Sequence, residues 1–206
     1  ATGSLGRGIS VHDSTGVQVR RSLVAGNRSH GVFVADSTLR LDEVAVRDTF
    51  AEEVSGLFGR GVEMQGGNVE IYRSLLAENR SSGVTVLGSA AILDNVVVRD
   101  TIPESTGLFG DGVRAEDDPA TGLRSDVTLQ GSLLIRNRAA GVAALGSTIK
   151  LDYSVVRDTL SEQSSGHFGR GVDVSHASDT GATADLTIHR SLIATNATTT
   201  AATSAM

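Results

Sequence analysis

The apolar residues of this chain come in short bursts of three to five, separated by glycine, serine, aspartate and asparagine. In GVFV from Gly31, LRL from Leu39 and VAV from Val44 they alternate with polar residues or run together, and many are β-branched. Strands read this way, because successive side chains point to opposite faces. No stretch of ten residues sets apolar side chains at i, i+3, i+4 and i+7, so helical and leucine-rich solenoids fit poorly.

The bursts repeat. SLVAGNRSHGV from Ser22 returns as SLLAENRSSGV from Ser74 and SLLIRNRAAGV from Ser132, and begins again as SLIATNAT from Ser191. Between them stand LDEVAVRDT from Leu41, LDNVVVRDT from Leu93 and LDYSVVRDT from Leu151. Each of these is followed by SGLFGRGV from Ser55, TGLFGDGV from Thr106 or SGHFGRGV from Ser165. Overlaying SLVAGN on EVAVRD splits each large period into two similar halves. It matches Asn27 with Asp48, Asn79 with Asp100 and Asn137 with Asp158, and Asn196 closes the series. Insertions fall in one half only. A unit of about 21 to 23 residues with loops leaving from one side is the length of one coil of a β-solenoid.

Three short strands per coil, stacked in parallel about 4.8 Å apart, bury their inward positions in columns. Strand-starting glycines at Gly8, Gly31, Gly61, Gly83, Gly112, Gly141 and Gly171 predict about seven to eight coils in a rod roughly 35 Å long. The GV-x-V strand, the Asn/Asp corner and the three-strand coil resemble the right-handed parallel β-helix superfamily, which is pectate-lyase-like. The VRDT…FGRGV double unit is similar to the right-handed β-helix repeat proteins of bacterial envelopes. The resemblance covers residues 5 to about 196 and implies an all-β solenoid. It says little about function, since one fold hosts many chemistries.

Composition narrows the classes. With 39% hydrophobic residues, 3% aromatics and no Trp, the core must be thin and built from Val, Leu, Ile and Ala. Abundant glycine (24) and scarce proline (2) suit many tight turns. A net charge of −6 argues against nucleic acid as the main partner. The absence of cysteine excludes a disulfide framework and a thiolate metal site. No apolar run approaches the roughly 20 residues of a membrane span. The opening ATGSLGRG lacks a signal-peptide layout. Residues 1–196 read as one β-helix domain, expected to be a piece of a longer solenoid that contacts further coils end to end. ATTTAATSAM over 197–206 reads as a low-complexity tail.

Three polar columns follow from the overlay. The first is the ladder Asn27, Asp48, Asn79, Asp100, Asn137, Asp158, Asn196, in which amide donors reach carboxylate or turn oxygens. The second alternates in charge through Arg21, Asp42, Arg73, Asp94, Gly131, Asp152 and Arg190. The third is Gly26, Arg47, Glu78, Arg99, Arg136 and Arg157, basic from Arg99 onward in a way that suits an acidic glycan. The Asn-x-Ser/Thr matches at Asn27, Asn79 and Asn196 fall in the ladder and read as coincidental.

The best candidate recognition surface is the set of loops inserted on alternate coils. Each carries an acid (Glu52 or Glu53, Glu104, Glu162), a phenylalanine (Phe58, Phe109, Phe168), and Arg60, Asp111 or Arg170. Loops on one flank of a solenoid commonly form its binding face, although such phenylalanines also tuck back over the coils. The outward third position after each strand-starting glycine adds Glu63, Arg114 and Asp173. Pectin-degrading relatives carry NTD, DD and GHG sets, and these are not present together here. Asp117 and Asp118 lie in a loop without a partner motif, and His30 reads as a lone surface residue. No catalytic residue, metal or cofactor is expected. The expected function is a surface or secreted, non-enzymatic scaffold or adhesion-like binding domain with a polysaccharide or cell-surface ligand. A carbohydrate-active lyase or hydrolase, or an inactive glycan-binding relative, is the alternative.

Overall fold

The computed structural model describes residues 6–196; the anticipated tail over 197–206 lies outside them. Among the described residues all strand pairings are parallel. Each coil visits three faces. The first face holds Ile9–His12, Ser82–Leu87, Asp111–Glu116, Ala140–Leu145 and Arg170–Ser175. The second holds Val17–Arg20, Ala90–Asp94, Asp126–Gln130, Thr148–Asp152 and Asp185–His189. In the second and third coils one long strand, His30–Asp42 or Arg60–Tyr72, serves both faces. It bends at Asp36 (φ 47°) or at Gly66 and Gly67 (φ 72° and 94°). The third face is a seven-stranded sheet of three-residue strands, from Leu23–Ala25 to Leu192–Ala194.

Inward side chains form the core. Val32, Val62, Val84, Val113 and Val142 stack down the first face, and Leu41, Ile71, Leu93, Leu129 and Leu151 down the second. Val46, Leu76, Val98, Leu134 and Val156 line the third. All are at most 1% exposed. Each fully buried side chain contributes about 1.5–3 kcal/mol, which lets a chain this poor in aromatics hold a core one side chain deep. The strand-starting glycines are required by close approach. A Cβ on Gly61 would stand 2.5 Å from the Gly83 carbonyl oxygen and 2.8 Å from Asn79 Nδ2, and Gly112 is crowded alike by Gly141 and Asn137.

The register corrects the sequence overlay by one residue. Ala25 pairs with Arg47, Arg47 with Ala77, Ala77 with Arg99, Arg99 with Ile135 and Ile135 with Arg157. Asn27 is therefore level with Thr49, Asn79 with Thr101 and Asn137 with Thr159. The buried ladder is Asn/Thr, and Asp48, Asp100 and Asp158 do not belong to it. Its chemistry explains the choice. Asn137 Oδ1 accepts the Thr101 N–H (3.2 Å) and hydroxyl (2.7 Å), while Nδ2 donates to the Val98 carbonyl (3.0 Å). Asn79 repeats this with the Thr49 N–H (3.3 Å) and the Val46 carbonyl (3.0 Å), and Asn196 Oδ1 accepts the Thr159 N–H (3.3 Å). The site needs a donor and an acceptor on one side chain, and a carboxylate supplies only acceptors.

Asp48, Asp100 and Asp158 occupy instead the outward turn just before the corner, level with Gly26, Glu78, Arg136 and Thr195. Every one of these residues has φ between 50° and 70°. The other two columns shift likewise. Arg21 is level with Glu43, Arg73, Asn95, Gly131, Tyr153 and Arg190, all again at positive φ. Arg73 still reaches Asp42 diagonally. The expected basic stripe dissolves into ion pairs. Arg99 bonds Asp100 (2.5 Å), Arg157 bonds Asp158 (3.0 Å), and Arg136 reaches back to Asp100 (2.7 Å). Arg136 and Arg99 hold the Asp100 carboxyl below its ordinary range.

Asn137→Ala leaves the buried Thr101 N–H and hydroxyl without their acceptor, at about 1–3 kcal/mol for an unsatisfied group. Asp100→Ala loses partly exposed ion pairs, typically under about 1 kcal/mol each. Urea unfolding should therefore show Asn137→Ala as the more destabilised of the two, by more than about 1 kcal/mol.

Candidate functional site

The outward side of the first face forms a grid. Its middle column is Ser10, Phe33, Glu63, Thr85, Arg114, Ala143 and Asp173 in successive coils, as the strand-starting glycines predict. The column before it contains His30, Arg60, Ser82, Asp111, Ala140 and Arg170, and the column after it Ala35, Gln65, Leu87, Glu116, Leu145 and Ser175. The eight residues singled out for binding thus share one surface with its flanking loops.

The inserted loops stack along one edge of this grid. The Ser105 N–H donates to the Gly56 carbonyl (3.0 Å) and the Ser164 N–H to the Gly107 carbonyl (3.2 Å). Their acids are spent inside the loops. Glu52 accepts from Ser29 and Ser55, Glu104 from Thr106, and Glu162 from Ser165 and from the Phe109 N–H of the neighbouring loop. Phe58, Phe109 and Phe168 each sit in the left-handed region, at φ 63°, 63° and 65°. That conformation is rare for a bulky residue and marks an over-determined position.

What holds each phenylalanine is an arginine that is itself tied to a carboxylate. Arg60 lies 5.1 Å from the Phe58 ring centre, Arg114 5.1 Å from Phe109, and Arg170 4.9 Å from Phe168. The ion pairs are Arg60–Glu63 (2.6 Å), Arg114–Asp111 (3.1 Å) and Arg170–Asp173 (2.7 Å). In the fifth coil acid and base exchange columns, yet the arginine still covers the ring. The unit is Phe–Arg–carboxylate, and it recurs on alternate coils. Phe58 and Phe109 are half-buried against the coils, as one reading of the sequence allowed, whereas Phe168 remains 47% exposed.

His30 is not a surface residue. It is 4% exposed, packed edge-on against Phe33 (5.3 Å) and beside Phe58 (5.5 Å), with Nε2 2.6 Å from Glu63 and Nδ1 2.8 Å from the Ser29 hydroxyl. Its column holds Ser82 and Ala140 in the matching repeats, so repetition alone hid it. Placing Glu63 on the next coil of the same face is the signal that finds it. Ser29, His30 and Glu63 form a hydrogen-bonded chain, but all are at most 4% exposed, so the hydroxyl is closed to a substrate.

Two carboxyls on this face are perturbed in opposite senses. Burial would raise Glu63, but the His30 hydrogen bond and the Arg60 charge outweigh it and bring the pKa to about 2. For Asp111 burial prevails over Arg114 and the Ala140 N–H and lifts the pKa to about 6.

Between the charged fifth and seventh coils the sixth is recessed. Ala140, Ala143 and Leu145 floor a cleft of about 240 Å³, walled by Phe109 and Phe168 and bounded by Arg114 and Asp173. Past Leu145 a second cleft of about 300 Å³ continues toward the opposite edge, where the Asp117–Ser125 segment and the Ala177–Ala182 turn rise above the face. Each of the two segments carries its own turn bond, Gly122 N–H to the Asp118 carbonyl (2.7 Å) and Gly181 N–H to the Ala177 carbonyl (2.8 Å). Among the described residues no three His, Asp or Glu side chains converge as a metal site, and no helix is long and apolar enough to cross a membrane.

A family model described as "Right handed beta helix region" matches residues 7–193. No curated protein matches the chain.

The two carboxyls predict opposite pH signatures. The folded Glu63 pKa lies below its unfolded value of 4.5, so its contribution is present above that pH and is lost as pH falls toward 2. The folded Asp111 pKa lies above 3.8, so stability falls as pH rises from about 4 to 6, by at most about 3 kcal/mol. Thermal melts should show Asp111→Asn gaining on the parent between pH 4 and pH 7. Glu63→Gln should lose ground above pH 4.5 and converge with the parent as the pH drops.

Proposed function

We propose that this chain, which belongs to the right-handed β-helix family, is a non-enzymatic scaffold and binding domain that holds an extended polysaccharide on its first face. The observation that carries this reading is the recessed sixth coil between Phe–Arg–carboxylate rows two coils apart. It offers an apolar floor, aromatic walls and paired charges at the rims, the usual make-up of a ligand cleft. The rows recur about every 9.6 Å along the rod, so a long ligand meets the same chemistry more than once. In this reading the domain works outside the cell or at its surface.

In this reading the acids of the face serve structure rather than catalysis. Glu63 is bonded by His30, Arg60 and Gln65, and Asp111 by Arg114 and the Ala140 N–H. Neither has a free oxygen facing an exposed partner acid. One observation favours the alternative, a carbohydrate-active enzyme: a carboxyl lifted to about 6 on a cleft wall suits a general acid.

A glycan array probed with the 206-residue chain separates the two. Binding lost on Phe109→Ala and on Ala143→Trp, with both variants melting as the parent does, supports the binding domain. New reducing or unsaturated ends that vanish in Asp111→Asn would establish the enzyme instead. Binding unaffected by both cleft variants would move the site elsewhere.

A further inference from the structure

The third face carries an apolar ridge that the polysaccharide reading leaves unused. Its outward column is Leu23, Ala45, Leu75, Val97, Leu133, Val155 and Leu192 in successive coils. The end leucines are 60% and 54% exposed and those between are half-buried. At the matching place on the second face stand Gln18, Arg40, Glu70, Ile92, Thr128, Lys150 and Thr187, which is an ordinary solvated column. A continuous apolar strip marks an interaction surface.

The strip also says what shape covers it. Leucine stands on the odd coils and alanine or valine on the even ones, so knobs and hollows alternate. At Ala45 the hollow is a shallow cleft of about 560 Å³ between Glu43, Arg73, Leu75 and Val97. The same ridge displaced by one coil fits this relief. We infer that the occupant is a second copy of this chain, packed antiparallel about a two-fold axis that crosses the ridge between the fourth and fifth coils.

That axis sets Val97 opposite Leu133 and Leu75 opposite Val155, and it brings Leu192 of each copy to the Ala45 hollow of the other. A two-fold of this kind lays each flank on itself. On one flank Glu43 faces Arg190, Arg73 faces Tyr153, and Asn95 faces Gly131. Glu43, Arg73, Tyr153 and Arg190 are all exposed or half-buried, and opposite charges facing one another steer and register such contacts. On the other flank Arg47, Arg99 and Arg157 meet Ala194, Ile135 and Ala77, and Asp100 meets Arg136. Glu78 with Asp158 is the like-charge juxtaposition, out at the rim. A parallel pairing about the rod axis sets leucine on leucine and leaves the hollows at Ala45, Val97 and Val155 facing one another.

Sedimentation equilibrium of the 206-residue chain should give a dimer. Leu133→Arg should weaken it at least about tenfold with an unchanged circular dichroism spectrum. Glu43→Arg should also weaken it, and mixing that variant with Arg190→Glu should restore the dimer as a heterodimer. Since the chain has no cysteine among its described residues, register can be read directly. Leu75→Cys mixed with Val155→Cys should link through a thiol crosslinker shorter than the roughly 14 Å of three rungs, and Leu75→Cys alone should not. A monomer at every concentration would overturn the inference. So would Leu75→Cys linking to itself, or a monomer that the ridge holds on phosphatidylcholine vesicles.

Discussion

The constraint on which this molecule depends is that each coil must hydrogen-bond to the coils above and below it. Parallel strands give no short-range closure, so nothing local fixes the fold. What fixes it is that every rung repeats the same backbone path. Glycine opens the first face because the next rung's carbonyl lies within 2.5–2.7 Å of where a Cβ would be at Gly61, Gly83, Gly112 and Gly141. The asparagine of alternate coils then binds the threonine N–H and the valine carbonyl of the coil before. Both devices serve the same end: a coil that is one residue too long or too short loses all its partners together.

Because the path is fixed, variation is pushed outward. Extra residues leave at two edges of the first face, before and after its strands, rather than from one side as the sequence period suggested, and the grid between them is free to vary in charge. The fifth coil illustrates this. Aspartate and arginine trade columns there, yet the guanidinium stays on Phe109, because both columns lie within reach of the loop. The swap also moves burial from a glutamate held by a histidine and an arginine to an aspartate held less well. Two acids on neighbouring units of one repeat therefore titrate at opposite ends of the carboxylate range.

Much of this was legible in the chain. Periodicity and the strand-starting glycines located the coils, and the second residue after each glycine named the outward column of the first face. The corner was misread by one residue, for a physical reason. The turn before it is left-handed in every coil, a conformation usually flagged by glycine, but here it is occupied by Asp48, Glu78, Asp100, Arg136 and Asp158. With that marker missing, polar character alone aligned Asn with Asp. His30 was missed because it interrupts a repeat whose other copies hold Ser82 and Ala140. The apolar ridge was present in the sequence as the first residue of each three-residue strand, but only the register separates it from the buried residue that follows it.

The in-register stacking of the first face can be tested by cysteine pairing in a chain that lacks cysteine of its own. Adjacent rungs lie about 4.8 Å apart and alternate rungs about 9.6 Å, and a disulfide spans about 4.4–6.8 Å between Cα atoms. Thr85→Cys with Arg114→Cys should oxidise to a disulfide in the native protein, and Thr85→Cys with Ala143→Cys should not. A bond in the second pair and none in the first would contradict the stacking on which the site and the ridge both rest.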